Sequence, residues 1–462
     1  MRNSRGLLQQ SLPIRIKYHR KDACAMRITF IQFSNGAVMR GAGHVIASII
    51  NDGHEVRFFD LFDQDMSTIE KWIKTNPCDL VLMSVMTLNV PQAMDLAKRI
   101  KKIKDVPIMV GGVHPTITGG QMLKDCPDID YLCIGEGESM ITEFIDKLGK
   151  GEIYDIMNLA YRKNGNVIVN PLRPPEDLSK SAPFPWHLYR KNRLAYDEMT
   201  YVYATRGCPF SCTYCCNSKY LNLYGKQYLR RRPIEHVISE LVYLKGKYHQ
   251  KWFYFGDEMI LFDKEYAMDL FHAIKKEVDI PYGFMARVEY LSEDVVKTAS
   301  ETGCVYVAIG VECGDESFRK NSLKRSMSNK SILDAVKLLK SYNIYVTTFN
   351  MIGYPVENDE ELTKSTIELN QMLKPDSAQV TILYPFPGTE LFEKCVRENL
   401  LDDQKLKAYS DYYEESVLKG VSLKTRRAEI YDLLNKDSRP LFKLSLKWRI
   451  HSQIRKYVKR PT

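Results

Sequence analysis

No apolar run in this 462-residue chain approaches the ~18–20 residues that a membrane-spanning helix needs. The N-terminus lacks the apolar h-region of a secretory signal. A disulfide framework is also missing. The eleven cysteines are odd in number and scattered, which argues against a secreted scaffold and for a reducing, cytoplasmic compartment. Acidic residues are absent from both ends: residues 1–20 hold five Lys/Arg and residues 439–462 hold eight, with no Asp or Glu in either stretch. The formal charge of +9 thus belongs to the ends, and the body between them is slightly acidic. A nucleic-acid groove needs basic residues across a folded face, so no nucleic-acid partner is expected. The apolar fraction of 44% and charged fraction of 27% are those of a soluble globular chain, long enough for two or three domains.

What is present is concentrated in Thr205–Tyr220, TRGCPFSCTYCCNSKY. Cys208, Cys212 and Cys215 stand in a C-x3-C-x2-C spacing, with glycine and proline keeping the backbone open around them. Three thiolates within eight residues can converge on one metal centre, one short of the four ligands that zinc or a fully ligated iron–sulfur cluster takes. A cluster on three cysteines has one iron free to bind a small molecule. By residue type alone, a zinc site completed by Cys216 or a distant ligand, or a chance grouping of buried thiols, also fits.

The spacing is the hallmark of the radical S-adenosylmethionine (SAM) enzymes, and the stretch resembles that family. The resemblance implies a [4Fe–4S] cluster on Cys208, Cys212 and Cys215, whose open iron chelates the amino and carboxylate groups of SAM. It further implies one-electron cleavage of SAM to methionine and a 5′-deoxyadenosyl radical, with a flavodoxin- or ferredoxin-type reductant. Adjacent cysteines cannot easily point at one cluster, so Cys216 is read as a packing residue.

Residues 1–25 read as a disordered basic extension; the first strand follows Met26 closely enough that Met26 is a candidate start. From 26 to 150, apolar runs at Ile28–Phe33, Val56–Leu61, Leu80–Val85, Pro107–Val110 and Tyr131–Ile134 alternate with helical patterns. That order predicts an α/β domain with a doubly wound, Rossmann-like parallel sheet and a ligand beyond the carboxyl ends of the strands. Glycines crowd the loops there: SNGAVMRGAG, GGVHPTITGG and GEGES. Next to a radical SAM core, GGVHPT and GEGE resemble the loops of the cobalamin-binding members of the family. The resemblance implies cobalamin contacts at Gly41, Thr87, Gly112, His114, Thr116, Gly135, Glu136, Gly137 and Glu138. From the residues alone, the two glutamates are also favoured simply by standing at a helix N-terminus. The Asp-x-His-x-x-Gly motif that ligates cobalt in other cobalamin proteins is missing. The one Asp-x-His, Asp52-Gly53-His54, precedes strand two and has Arg57 where glycine belongs. His54 is therefore read as a surface residue, and no histidine is expected to replace the lower base on cobalt.

Residues 151–199 read as a connector: a hairpin turning at Asn164-Gly165, then the proline-rich PLRPPEDL and APFPWHLY. From 200 to 390, six strand runs alternate with helical segments, at Thr200–Thr205, Trp252–Phe255, Tyr282–Ala286, Val305–Ile309, Tyr345–Met351 and Ser377–Leu383. They predict a partial (β/α)6 barrel, the radical SAM core, with its chemistry at the strand C-termini. The resemblance assigns SAM contacts to Gly256, Asp257 and Glu258 (amino group), Arg287 (carboxylate), Glu312 (ribose), Gly353, and Tyr214 beside the adenine. As bare residues, the acids also suit a helix N-cap and Arg287 a surface position. Arg230, Arg231 and Arg232 are either solvated or in contact with SAM or an electron donor. PFPGTELFE (Pro385–Glu393) is expected to close the barrel mouth.

Residues 391–462 read as a mainly helical region covering the open side of the barrel. Phe442, Leu446, Ile450 and Ile454 repeat every four residues among basic neighbours, which fits either a docked helix or peripheral contact with an anionic membrane. As a whole the resemblance implies a cobalamin-dependent methyltransferase acting on a small-molecule or lipid carbon. Radical cyclisation, rearrangement or oxidation without methyl transfer is the alternative within the family. A non-catalytic cobalamin or redox sensor is the alternative outside it. Methylthiotransferases carry an additional cysteine triad that is not evident here.

Overall fold

The computed structural model describes residues 25–34, 38–148, 150–189, 199–408, 415–419 and 423–438. The N-terminal extension and the basic C-terminal segment lie outside the described residues.

The first sheet has seven strands: β1 (Arg27–Gln32), β2 (Glu55–Asp60), β3 (Leu80–Ser84), β4 (Ile108–Gly111), β5 (Tyr131–Cys133), β6 (Leu159–Lys163) and β7 (Asn166–Val169). Their order is β2-β1-β3-β4-β5-β6-β7, with β1 to β5 parallel. Burial follows position. Central β1 is buried from Ile28 to Gln32, whereas edge strand β2 alternates along EVRF. The order reverses at β1, so the ligand crevice lies beyond the carboxyl ends of β1 and β3. One expectation is corrected here. The 158–170 hairpin is not part of a connector, because β6 pairs antiparallel with β5 and β7 with β6. Asn164 and Gly165 both take positive φ, 50° and 77°, as a two-residue turn of this type requires.

The second sheet is a half-barrel of β8 (Met199–Val202), β11 (Trp252–Phe255), β12 (Tyr282–Ala286), β13 (Cys304–Glu312), β14 (Tyr345–Ile352) and β15 (Ser377–Ile382), all parallel and in chain order. The run expected as one strand from Thr200 to Thr205 is broken. After Val202 the chain leaves the sheet, and β9 (Thr205–Arg206) forms a two-residue antiparallel ladder with β10 (Arg230–Arg231). The physical reason is Asp257, whose carboxylate takes up the N–H groups of Ala204 and Thr205. On the opposite side, the Lys424–Asn435 helix covers the edge strand β15. The Asn435 side-chain amide accepts from Ala378 N at 2.9 Å and donates to Ala378 O at 2.7 Å, in place of a further strand. Among the described residues no helix is long and apolar enough to cross a membrane.

Candidate active site

The cysteine loop leaves β9 and ends at the Cys216–Tyr224 helix. Cys215 N donates to Cys212 O at 3.1 Å, which curls the loop. Thr213 ties it to the rest of the core: its hydroxyl donates to Ser322 O at 2.7 Å, and its carbonyl accepts from Leu391 N at 2.9 Å. Guanidinium N–H donors lie near one sulfur: Cys212 Sγ is 3.7 Å from Arg287 Nη1 and 4.0 Å from Arg325 Nη1. Such donors suit cluster thiolates, so the loop fits the group that its spacing implies. Burial pushes the Cys208 thiol up to about 11, whereas a hydrogen bond from Cys216 brings Cys215 down to about 7. Cys216 also lines the cavity described below.

The expected SAM residues collect at the C-terminal ends of the half-barrel strands, with differing commitments. Asp257 is fully buried, and its oxygens hold Ala204 N (3.0 Å), Thr205 N (2.5 Å) and Thr205 Oγ1 (2.6 Å). Burial raises its carboxyl to about 7 even so. Its role is therefore to position the cysteine loop, and it has no open face for an ammonium. Glu258 accepts from Gly207 N at 3.4 Å and faces the cavity. Gly256 has no room for a side chain, since a Cβ would lie 2.9 Å from the Tyr203 ring. Arg287 lies over Phe210 at 3.6 Å and is paired with Glu289 at 2.6 Å. Glu312 sits at a bulge in β13 with φ 64°. The Tyr214 hydroxyl accepts from Arg325 Nη1 at 3.3 Å, so Tyr214 belongs to a buried polar network. Gly353, φ 79°, follows β14.

Arg325 completes that network and had no signature in the sequence. It reaches Gly310 O (2.6 Å), Tyr214 Oη (3.3 Å), Glu312 Oε1 (3.7 Å) and Cys212 Sγ (4.0 Å), while its buried Nε has no partner. Only the fold brings a loop residue 113 positions downstream against Cys212.

Between the two sheets lies a cavity of about 580 Å³, within the range of cofactor sites. Gly41, Gly112, Gly135, Glu136, Gly137 and Glu138 line one side, and Tyr203, Cys216, Tyr220 and Glu258 the other. Thr87, His114 and Thr116 do not line it. They brace the loop from beneath: Thr87 Oγ1 lies 3.2 Å from His114 Nδ1, and Thr116 Oγ1 accepts from Gly135 N at 2.9 Å. Burial lowers His114 to about 4, so the ring is neutral at neutral pH. His54, expected at the surface, is buried and accepts from Met26 N at 3.3 Å. The glycines make a cradle that fits a large flat cofactor. Gly112 has φ 107°, and a Cβ there would stand 2.7 Å from Val85 O and 2.9 Å from Val85 N, both backbone. Gly112→Ala is expected to cost about 1–3 kcal/mol of stability, read as a lowered urea midpoint.

The two glutamates of GEGE bind arginines across the domain boundary. Glu136 pairs with Arg230 at 2.6 Å and Arg206 at 3.2 Å, and Glu138 with Arg206 at 2.5 Å. Burial alone would raise Glu136, but these guanidiniums bring it to about 2. Of the arginine run, Arg230 and Arg232 are largely covered and paired with carboxylates, while Arg231 is exposed. Arg230 docks the N-terminal domain, Arg231 pairs with Asp263, and Arg232 pairs with Glu240 at 2.7 Å. Gly388 of the PFPGT segment packs on the N-terminal domain too, where a Cβ would meet Ile117 O at 2.3 Å.

A cysteine loop at the mouth of a half-barrel, facing a glycine-lined sheet edge, defines a radical SAM core joined to a cobalamin-type domain. Comparison with known proteins agrees. The Radical SAM superfamily model matches residues 202–366, and the B12 binding domain model matches residues 30–145. An uncharacterized methyltransferase of Pyrococcus horikoshii is 33% identical over 373 residues, covering 79% of this chain and 80% of its own. An anaerobic magnesium-protoporphyrin IX monomethyl ester cyclase of Rubrivivax gelatinosus is 26% identical over 405 residues, 80% of this chain and 70% of its own. Among solved structures, the radical SAM methyltransferase TsrM from Kitasatospora setae, with cobalamin and a [4Fe–4S] cluster bound, aligns with a TM-score of 0.65 at 14% identity, over 81% of this chain and 75% of its own. The chain belongs to the cobalamin-binding radical SAM family, and it is a methyltransferase-like enzyme whose cofactors are a [4Fe–4S] cluster, SAM and cobalamin.

Proposed function

We propose that this enzyme moves a methyl group through cobalamin to an unactivated carbon of a small-molecule or lipid substrate, with SAM as both methyl source and origin of the activating radical. The wall shared by two cavities carries this reading. Inside the half-barrel lies a second cavity of about 600 Å³, with Tyr254, Tyr306 and Phe349 on its strands and Tyr431 on the covering helix. Gly283 makes room for this aromatic layer, since a Cβ there would lie 2.8 Å from Tyr306 O. Tyr201 and Tyr203 line both cavities. A substrate in the barrel and a cofactor between the domains would therefore meet at these two rings, beside Glu258.

When bound, the cluster supplies the electron that opens SAM, and cobalamin carries the methyl group. The chain's own residues do the rest. Cys208, Cys212 and Cys215 hold the cluster, with Asp257 fixing the start of their loop. Arg287 and Arg325 place positive charge beside Cys212. Glu258 and Glu312 offer carboxylates to the SAM ammonium and ribose, and Arg206 and Arg230 hold the two domains together beside the cofactor cavity. A flavodoxin- or ferredoxin-type protein serves as reductant, and the basic 439–462 segment as peripheral membrane contact. Unchanged liposome binding after deletion of 439–462 would remove that last role.

The test uses anaerobically reconstituted protein. Iron, sulfide and cobalamin are counted, SAM and a strong reductant are added, and 5′-deoxyadenosine and S-adenosylhomocysteine are followed. Methyl transfer consumes two SAM per product and yields both. The Rubrivivax gelatinosus cyclase favours a second reading, a radical cyclisation, which would give deoxyadenosine without S-adenosylhomocysteine. Cofactor binding with no SAM cleavage would instead indicate a sensor.

A further inference from the structure

His44 lines the interdomain cavity, and neither of its ring nitrogens hydrogen-bonds to a described residue; Nδ1 is sealed from solvent, so a ligand in the cavity can meet only Nε2. The ring is held in place. It rides on the Arg40–Asn51 helix and meets Phe184 edge-on, with centroids 5.4 Å apart at 76°. Gly43 admits Phe184, whose Cε2 stands 2.1 Å from where a Cβ would be. Burial, and then the charges of Arg40, Arg206 and Arg232, hold the imidazole well below its ordinary pKa, so it is neutral. A neutral imidazole carries one donor and one acceptor, and leaving such groups unpaired in a buried site costs stability.

The character of the missing partner follows from the surroundings. An anionic group entering here would be drawn to the neighbouring guanidiniums. A single neutral ring nitrogen donates or accepts according to its tautomer, and a primary carboxamide can answer either; such groups ring the periphery of the corrin. We propose that His44 is a cobalamin-binding residue whose imidazole hydrogen-bonds a peripheral carboxamide of the corrin. This inference rests on the cobalamin assignment made above.

The test titrates hydroxocobalamin into the full chain by absorbance, for wild type, His44→Phe and His44→Gln, with thermal melts of the cobalamin-free proteins alongside. His44→Phe keeps a ring against Phe184 and removes both nitrogens. It is expected to bind cobalamin roughly tenfold more weakly while its cobalamin-free form melts at the same temperature or higher. His44→Gln restores a donor and an acceptor and is expected to recover most of the affinity. A purely structural histidine cannot move affinity and melting temperature in opposite directions. Equal affinity in wild type and His44→Phe would overturn the proposal. So would an axial nitrogen coupling in the EPR spectrum of reduced, cobalamin-loaded wild type that vanishes in His44→Phe, since that would make His44 a cobalt ligand. If wild type takes up no hydroxocobalamin but still releases 5′-deoxyadenosine from SAM, the cobalamin assignment itself falls, and His44 with it.

Discussion

Cys208→Ala protein, reconstituted anaerobically with iron and sulfide, is expected to hold no stable [4Fe–4S] cluster and to release no detectable 5′-deoxyadenosine from SAM. Three thiolates already leave one iron without a protein ligand. Removing one more leaves two sulfurs on a short loop to hold four irons. The fold cannot compensate. Cys212 and Cys215 are tied to each other by their backbone turn, and the loop is anchored at Asp257, Ser322 and Leu391. The control is Cys216→Ala. That thiol lines the cavity and is not one of the three spaced cysteines, so iron and sulfide content are expected to stay at wild-type level. Zinc in the wild-type protein, or full iron content in Cys208→Ala, would refute the assignment.

Glu240→Ala is expected to be the most damaging change away from the cofactors, at about 3–5 kcal/mol. Glu240 is buried between Arg40 of the N-terminal domain and Arg232 of the core, at 2.6 and 2.7 Å, and accepts from Trp186 Nε1 of the connector at 2.9 Å. Alanine leaves two buried guanidiniums with no counter-charge, one of them packed on Phe184 at 4.0 Å. Because this carboxylate joins both domains and the connector, the variant is also expected to lose cobalamin along with stability, measured by denaturant unfolding and bound cobalt. The same group has a pH signature. Burial is the largest influence on its carboxyl and would raise it, but Arg40 and Arg232 together overcome that and hold it at about 2. Its folded pKa lies below the unfolded value of about 4.3. The stability it contributes is therefore complete above about pH 4.3 and is lost as pH falls from there through about 2. Glu240→Gln should flatten that segment of the acid-unfolding curve.

The alternation of apolar runs with helical patterns was enough to place nearly every parallel strand within a residue or two, because strands buried on both faces need unbroken apolar stretches wherever they sit. The hairpin was found as a hairpin, yet its partner was not. Nothing in Leu159–Lys163 says that β5 will offer it an open edge. The break after Val202 has no local signature for the same kind of reason, since the residue that imposes it, Asp257, is more than fifty positions away.

The candidate site divides along similar lines. Cysteine spacing is local chemistry on one short loop, so Cys208, Cys212 and Cys215 were legible without any fold. Glycines with positive φ, such as Gly112 and Gly135, were legible too, because only that residue tolerates the conformation and the close approach. Ionised and polar side chains are another matter. Their role depends on which opposite charge arrives from elsewhere in the chain, and a one-dimensional pattern carries no such information. Glu136 and Glu138 turned out to bind Arg230 and Arg206 across the domain boundary, and Asp257 to hold backbone amides. Arg325 and His44 entered only when tertiary packing set them beside Cys212 and the cavity. The sequence by itself determined the two sheets through local periodicity and singled out the cysteine triad through its spacing, and its resemblance to a known family pointed to the cofactor class. Tertiary structure alone decided which charges pair, which buried nitrogens go without partners and where the two cavities meet, because those depend on distances between residues that the chain keeps far apart.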